Sequence, residues 1–303
     1  MNPPARTLAA YLEDYLTLRR ALGCKLNRGE RDLRQFLDYL DQRQQSTLTA
    51  GAAADWVRRA RRGSAGPGLA MEAILGFAAF AHAHDPAHEI PSRGLFSRKR
   101  TRTVPYLYSP ADIAALQNAA GQLQGTLRAA TYTTLIALLA VTGLRIGEAI
   151  ALDDNDIDTA EGMLIVRQDK AQSFRLVPLH ATALAAIAGY QHCRDQAFPG
   201  RGSPALLVSR AGDRLTYNAI HKTFTRLAAA AGLAPRSRRC RPTIHGLRHS
   251  FAVATLAGWY RDGADVPACL PRLSTVLGHS GPASTYWYYS DSRVIPTSVP
   301  SRA

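Results

Sequence analysis

No uninterrupted apolar run in this chain approaches the ~18 residues that a membrane-spanning helix needs, so the sequence predicts no transmembrane segment and no membrane partner. Cysteine is scarce: the four, Cys24, Cys193, Cys240 and Cys269, lie far apart and form no CxxC pair. That spacing argues against a zinc ribbon or a disulfide framework and fits a reducing cytoplasm. The opening MNPPARTLAAYLEDY places Glu13 and Asp14 where a secretory signal would be apolar. It shows no small-residue cleavage pattern either, so no export signal is expected. Internal repeats and low-complexity tracts are absent from the sequence. The histidines of HAHDPAH, His82, His84 and His88, raise the question of a metal site. No cysteine or second ligand cluster accompanies them, so we read a polar helix end running into a linker, with no metal.

Acidic residues are the other shortage. Asp and Glu number 23 against 37 Lys and Arg in 303 residues, a net charge of +14. An excess of that size on a folded chain favours a polyanionic partner, and arginine, which supplies most of it, suits bidentate phosphate contact. Arginine richness can also reflect genome composition, and clustering is what separates the two readings. RRARR (with Arg58 and Arg59), RKRTR (Arg98, Lys99, Arg100 and Arg102) and RSRRCR (with Arg238 and Arg239) are concentrated runs. Two of the three adjoin domain or motif boundaries, which weights the reading toward nucleic acid.

The first part of the chain reads as short amphipathic helices. Leu8, Leu12, Tyr15 and Leu16 recur at three- and four-residue spacing, as do Leu33, Phe36, Leu37 and Leu40. A third helix starts after Thr49 as N-cap, and GLAMEAILGFAAFAHAH makes a fourth. We therefore expect an all-α domain over 1–90, a basic linker over 91–105 and a larger mixed region over 106–303. In that region Ser109 caps a helix with Pro110 at its first position. TLIALLAVTGLRIGEAIAL reads as a buried helix, a glycine break and another helix. GMLIVRQDKAQSFRLVPLH switches to alternating, β-branched residues and predicts a short sheet or hairpin. Everything after residue 216 reads as helices. The fold class is mainly α with a small antiparallel β-sheet.

Three segments could carry chemistry. TGLRIGE puts Arg145 at the start of a helix with Glu148 at i+3 as its partner. IHGLRHS sets His245 and Arg248 three apart at the opening of another helix, a spacing that brings both to one face, with Leu247, Phe251 and Ala254 forming the buried one. A cation and an imidazole at a helix start make a reasonable phosphate site, although taken alone a His and an Arg on a solvated helix face is the reading we favour. In LGHSGPASTYWYYSD, His279 lies in a turn before a helix bearing Tyr286, Tyr288 and Tyr289. At roughly 100° per residue, Tyr286 and Tyr289 fall within about 60° of each other, and Tyr288 stands roughly 100–160° from both. Packing remains an alternative for each of them.

In this order the segments resemble the tyrosine recombinase (phage integrase) family. TGLRIGEAIALDDNDID looks like its first box and KAQSFRLVPL like its β-hairpin, while IHGLRHSFA and LSTVLGHSGPASTYWYYS look like its second box. The helical first third suits the family's core-binding domain, so the resemblance spans nearly the whole chain and implies a mixed α+β catalytic domain after it. It implies a site-specific, Xer-like DNA recombinase that cleaves and rejoins strands through a 3′-phosphotyrosyl link, with no metal, ATP or other cofactor. Carried over residue by residue, Tyr288 is the nucleophile, and Arg145, Arg248 and His279 meet the charge on the phosphate. His245 helps to accept the tyrosyl proton, and Lys170 protonates the departing 5′-oxygen. The implied partners are a double-stranded recombination site and copies of the chain itself, as a tetramer on two sites. Two other classes stay open: a type IB topoisomerase-like nicking-closing enzyme and a DNA-binding accessory protein without catalysis. Two departures from the family pattern stand out. Ser173 occupies a position where many relatives carry a second basic residue, and the tail YSDSRVIPTSVPSRA, with two prolines, predicts no long docking helix.

Overall fold

Six side chains mark where helices start. Thr7, Thr49, Ser109, Thr216, Thr243 and Asp265 each accept the N–H of the residue three further on, a cap worth about 1 kcal/mol. At Ser109 the bond is returned, because Asp112 accepts the Ser109 N–H at 2.9 Å, completing a capping box. The computed structural model describes residues 6–24, 26–60, 67–92, 94, 104–167 and 174–279. It divides into two compact units, Met1–Arg102 and Thr103–Ala303.

The first unit contains the helices α1 (Leu8–Ala21), α2 (Asn27–Asp41), α3 (Ala50–Ala60) and α4 (Pro67–His84). Their apolar stripes, among them Leu12, Leu16, Leu33, Phe36, Trp56, Ile74 and Phe77, close on one another as a single core. The stretch after α4 is part of this packing. His88 is buried and its Nδ1 accepts the Leu48 N–H, while Glu89 accepts the Ala50 N–H at 2.7 Å. The histidine-rich stretch therefore continues past the helix end and fastens the loop before α3.

The second unit runs through α5 (Pro110–Gly121), α6 (Thr126–Thr142), α7 (Ile146–Ala151), a 3-10 turn (Asp154–Asp156), β1 (Ile157–Asp158), β2 (Met163–Arg167) and β3 (Phe174–Pro178). It continues with α8 (Ala181–Ala197), α9 (Tyr217–Ala230), α10 (Ile244–Arg261) and α11 (Val266–Leu277). The sheet is antiparallel in the order β1-β2-β3, with Ile165 opposite Leu176 and Arg167 opposite Phe174. Its inward positions Leu164, Val166 and Val177 join Leu135, Leu139, Leu144 and Leu247 in the main core. Ala252 and Leu256 of α10 pack with Leu270, Leu273 and Leu277 of α11 in a separate small cluster. The chain is thus mainly helical with one small antiparallel sheet. Among the described residues no helix is long and apolar enough to cross a membrane.

Much of the arginine is structural here. Arg194 is 2% exposed and donates to Asp154 (2.7 Å), Asp195 (2.8 Å) and the Leu206 carbonyl (2.8 Å). Arg201 also binds Asp154, Arg214 binds Asp153, and Arg167 binds Asp156. The acidic run DDND is therefore held by arginines from four positions after it.

Candidate active site

Two glycines end two helices and set up the site. α6 stops at Gly143, where φ is 63° and an added Cβ would lie 2.4 Å from Phe251 Cδ1 and 2.9 Å from Leu277 Cδ2. Only glycine combines that left-handed turn with so close an approach. Beyond it Arg145 becomes the N-cap residue of α7, and Glu148 accepts both its backbone N–H (2.8 Å) and its guanidinium (2.7 Å). α11 stops in the same way at Gly278, φ 62°, and His279 is the next residue.

The last carbonyls of a helix lack partners within it and form its negative pole. At the end of α11 three consecutive carbonyls are each taken by a guanidinium from a different segment. Arg175 of β3 donates Nε to Val276 O at 2.8 Å. Arg248 of α10 donates Nη2 to Leu277 O at 2.6 Å. Arg145 donates Nη2 to Gly278 O at 2.8 Å. Arg248 also donates Nη1 to Gly143 O at 2.7 Å, which ties the two glycine turns together. Charge-assisted bonds of this kind are about twice as strong as neutral ones.

The electrostatics follow from this crowding of cations. Partial burial and then Arg248, Arg145 and Arg175 push His279 down to about 4, against a smaller opposing pull from Glu148. Loss of hydration around the ring, with Arg248 and Arg145 adding to it, also lowers His245. His249, in edge contact with His245 at 4.6 Å between ring centres, is pushed to about 4, chiefly by burial. All three imidazoles are therefore neutral at pH 7. Burial alone would raise Glu148, but the bonds from Arg175 and from both the N–H and the guanidinium of Arg145 outweigh it and keep the carboxylate ionised.

Four of the six expected catalytic residues, Arg145, His245, Arg248 and His279, thus meet around the end of α11. Lys170 and Tyr288, with Tyr286, Tyr289, Ser173 and the tail, lie outside the described residues. The shared face expected of His245 and Arg248 divides in the structure: His245 opens to solvent while Arg248 is 2% exposed. Ala254, expected to be buried, is exposed, and Ala252 and Leu256 take the inner positions instead. The reason is that Arg248 reaches two carbonyl oxygens from inside, so the inward face of α10 is rotated toward it.

Of the expected DNA contacts, Arg58 and Arg59 are exposed on α3, with Arg58 paired to Asp55 at 2.7 Å. Arg238 and Arg239 are exposed on the turn bounded by Ser237 and Cys240. Their neighbour Arg236 lies over the Tyr106 ring at 4.4 Å. Arg98, Lys99, Arg100 and Arg102 lie outside the described residues.

Two features escaped the sequence reading. One is Arg175, buried among inward strand positions. Its signal was the alternation itself, since Arg175 shares a face with Val177 while Phe174 and Leu176 point outward. The other is a cavity of about 410 Å³ among α6, α9 and the Val208–Leu215 turn before α9, with Arg128, Arg210, Lys222 and Arg226 in its wall and no carboxylate among its described lining residues. These four cations are scattered in the sequence, and only folding gathers them. Among the described residues no group of three or more His, Cys, Asp or Glu is arranged to hold a metal ion.

Comparison with known proteins follows the same lines. A family profile described as the phage integrase family matches residues 110–293. A Sinorhizobium fredii protein provisionally named integrase/recombinase y4rB is 37% identical, covering 94% of this chain and 93% of its own. The tyrosine recombinase XerD of Mycobacterium tuberculosis is 30% identical, covering 95% of this chain and 94% of its own. Among solved structures, the Tn1549 transposon integrase in complex with a circular intermediate DNA aligns with a TM-score of 0.68 at 19% identity. That alignment covers 92% of this chain and 95% of the other and speaks for the fold.

Proposed function

Because this chain belongs to the phage integrase family, we propose that the cluster at the end of α11 is the phosphate site of a DNA strand-exchange reaction. The enzyme is a tyrosine site-specific recombinase that breaks and rejoins DNA. The observation that carries the site assignment is the meeting of Arg145, Arg248 and His279 at three successive backbone positions.

The chemistry asks for fixed donors where negative charge concentrates in the pentavalent transition state. Arg145 and Arg248, with guanidinium planes fixed by backbone carbonyls, supply positive charge and their remaining N–H donors to the non-bridging oxygens. His279, neutral and still carrying one ring N–H, donates a further bond. The Tyr288 hydroxyl attacks phosphorus, forming a P–O bond to the tyrosine as the bond to the 5′-oxygen breaks. A phenol of pKa near 10 needs a base at neutral pH; His245, lowered by burial and its cationic neighbours, is neutral and can take that proton. Lys170 gives a proton to the departing 5′-oxygen. A 5′-hydroxyl then attacks the phosphotyrosyl link, and the proton transfers reverse. One ester is exchanged for another, so the bond energy is retained in the enzyme-linked intermediate.

In this reading residues 1–90 form the core-binding domain, 91–105 a basic linker and 106–303 the catalytic domain, acting in the cytoplasm on a double-stranded site. Two sites are joined by four protomers. Arg58, Arg59, Arg98, Lys99, Arg100, Arg102, Arg238 and Arg239 contact the backbone, and the wall of Arg128, Arg210, Lys222 and Arg226 offers it a further cationic seat.

The test is covalent trapping on a nicked suicide substrate. The native chain is expected to give a denaturant-resistant protein–DNA adduct, and Tyr288→Phe none. Adduct loss in Tyr286→Phe or Tyr289→Phe, with Tyr288→Phe still active, would move the nucleophile. Relaxation of supercoils without exchange between sites would point to a topoisomerase-like activity, and binding without any adduct to an accessory protein.

A further inference from the structure

Arg145 and His279 are held in place by another arginine. We propose that Arg175 of β3 is a positioning residue for strand cleavage: it locks Glu148 and the Val276–His279 turn together, and so fixes the guanidinium and the imidazole that face the phosphate.

The geometry has three parts. Arg175 is 5% exposed, and its guanidinium meets both oxygens of Glu148, Nη2 to Oε2 at 2.7 Å and Nη1 to Oε1 at 3.1 Å. Its third edge donates Nε to Val276 O at 2.8 Å. Finally, the α11 turn is built around this side chain, because a Cβ on Gly278 would lie 2.7 Å from Arg175 Nη1 and 2.8 Å from its Cζ. A closed circuit results. Arg175 holds Glu148, Glu148 holds Arg145 at two atoms, Arg145 holds Gly278 O, and Val276, two residues before Gly278, returns to Arg175.

Only a planar fork can bind a carboxylate side-on and a carbonyl end-on at once; a lysine ammonium offers one point of charge. Arg175 reaches the turn from β3, five residues after Lys170 in the sequence. A shift of β3 therefore moves the carboxylate that orients Arg145 and the turn that carries His279 together. Arg175 acts through these residues and has no role of its own in proton transfer or nucleophilic attack.

This inference rests on the recombinase reading for its catalytic consequence, and the experiment separates the two. Arg175→Lys keeps the charge and loses the fork. Single-turnover adduct formation on a nicked suicide duplex is expected to slow about a hundredfold, the scale of a misplaced reacting group, while affinity for the same duplex stays within about threefold, since positioning is used in the transition state and not in binding. Gly278→Ala, which displaces the Arg175 fork without altering it, is expected to slow cleavage in the same way. Millimolar guanidinium is expected to restore part of the rate to Arg175→Ala but not to Gly278→Ala. An independent reading needs no DNA. By NMR, the His279 midpoint near 4 is expected to rise in Arg175→Met, which removes one of the cations that lower it alongside Arg248 and Arg145. An unchanged cleavage rate in Arg175→Lys, or an unmoved His279 midpoint in Arg175→Met, overturns the proposal. A native chain that forms no adduct overturns the recombinase reading instead, and the NMR titration still shows whether Arg175 acts on the His279 imidazole.

Discussion

In the unit Met1–Arg102, Arg20, Arg28, Arg34 and Arg58 lie on helix surfaces and pair with carboxylates across one or two turns or a neighbouring helix. In the unit Thr103–Ala303, Arg175, Arg194 and Arg248 are buried and end on backbone carbonyls, and Arg175 and Arg194 bind acids as well. The same residue type thus does two kinds of work. An exposed pair gains little because water and salt screen it. A buried guanidinium has lost its water, so every donor it can satisfy inside the protein matters, and removing it leaves its acceptors stranded. Thr103–Ala303 thus adds buried polar fasteners to its apolar core, whereas the arginines named in Met1–Arg102 stay on the surface around theirs.

The comparison can be broken most sharply at Arg194. Arg194→Ala strands the Leu206 carbonyl and leaves Asp154 to Arg201 and Gln191 alone, and is expected to cost about 3–5 kcal/mol. Hydrogen exchange should show the loss in α8 and the DDND turn while α2 keeps its protection. Equal loss in both units would mean that they unfold as one.

Glycine offers the next contrast. Gly143→Ala must hold a left-handed turn against Phe251 and Leu277, an overpacking expected to cost about 1–3 kcal/mol. Gly51→Ala in α3 meets nothing within 4 Å and has an ordinary helical backbone, so it should be neutral or stabilising by up to about 0.5 kcal/mol. Urea melts of the two variants should move in opposite directions.

Acid gives a graded effect. His249 and His279 have folded values near 4, below the ordinary 6.5. Between those values the unfolded chain binds more protons than the folded one, so stability falls as pH drops from about 6.5 to about 4 and is fully present above it. Glu148, held below its ordinary value, adds a loss at lower pH still. Unit-resolved unfolding across pH 7 to 4 should show this decline in Thr103–Ala303; a flat profile there would remove the buried neutral imidazoles from the account.

The smallest effect belongs to the surface. Arg34→Ala breaks exposed pairs to Glu13 and Glu30 and is expected to cost under about 1 kcal/mol, and less in high salt. A cost near that of Arg194→Ala would erase the distinction between the units.

Local chemistry was legible in the sequence where it acts over a few residues. Ser109 with Pro110 announced α5, Thr49 announced α3, and Leu33, Phe36, Leu37 and Leu40 announced the buried face of α2. Arg145 with Glu148 at i+3 was legible for the same reason, since one helical turn brings them together. Arg175 was not, because an arginine in a strand shows its direction only once the register places Phe174 and Leu176 outside. Ala254 was misplaced on the inner face of α10 because helical periodicity fixes spacing but not the rotation of the helix about its axis.

By itself, then, the sequence determined several helix starts and buried faces, the hairpin, the order of the two boxes and the family they spell. Tertiary structure decided which arginines were buried as fasteners, which gathered at the end of α11 and which remained on the surface. Carbonyls 276, 277 and 278 at the end of one helix gathered Arg175, Arg248 and Arg145 from distant parts of the chain. A helix end leaves its last carbonyls without partners, and a buried cation must find acceptors; neither need names its partner in the linear sequence. Only folding brings the two needs to the same place.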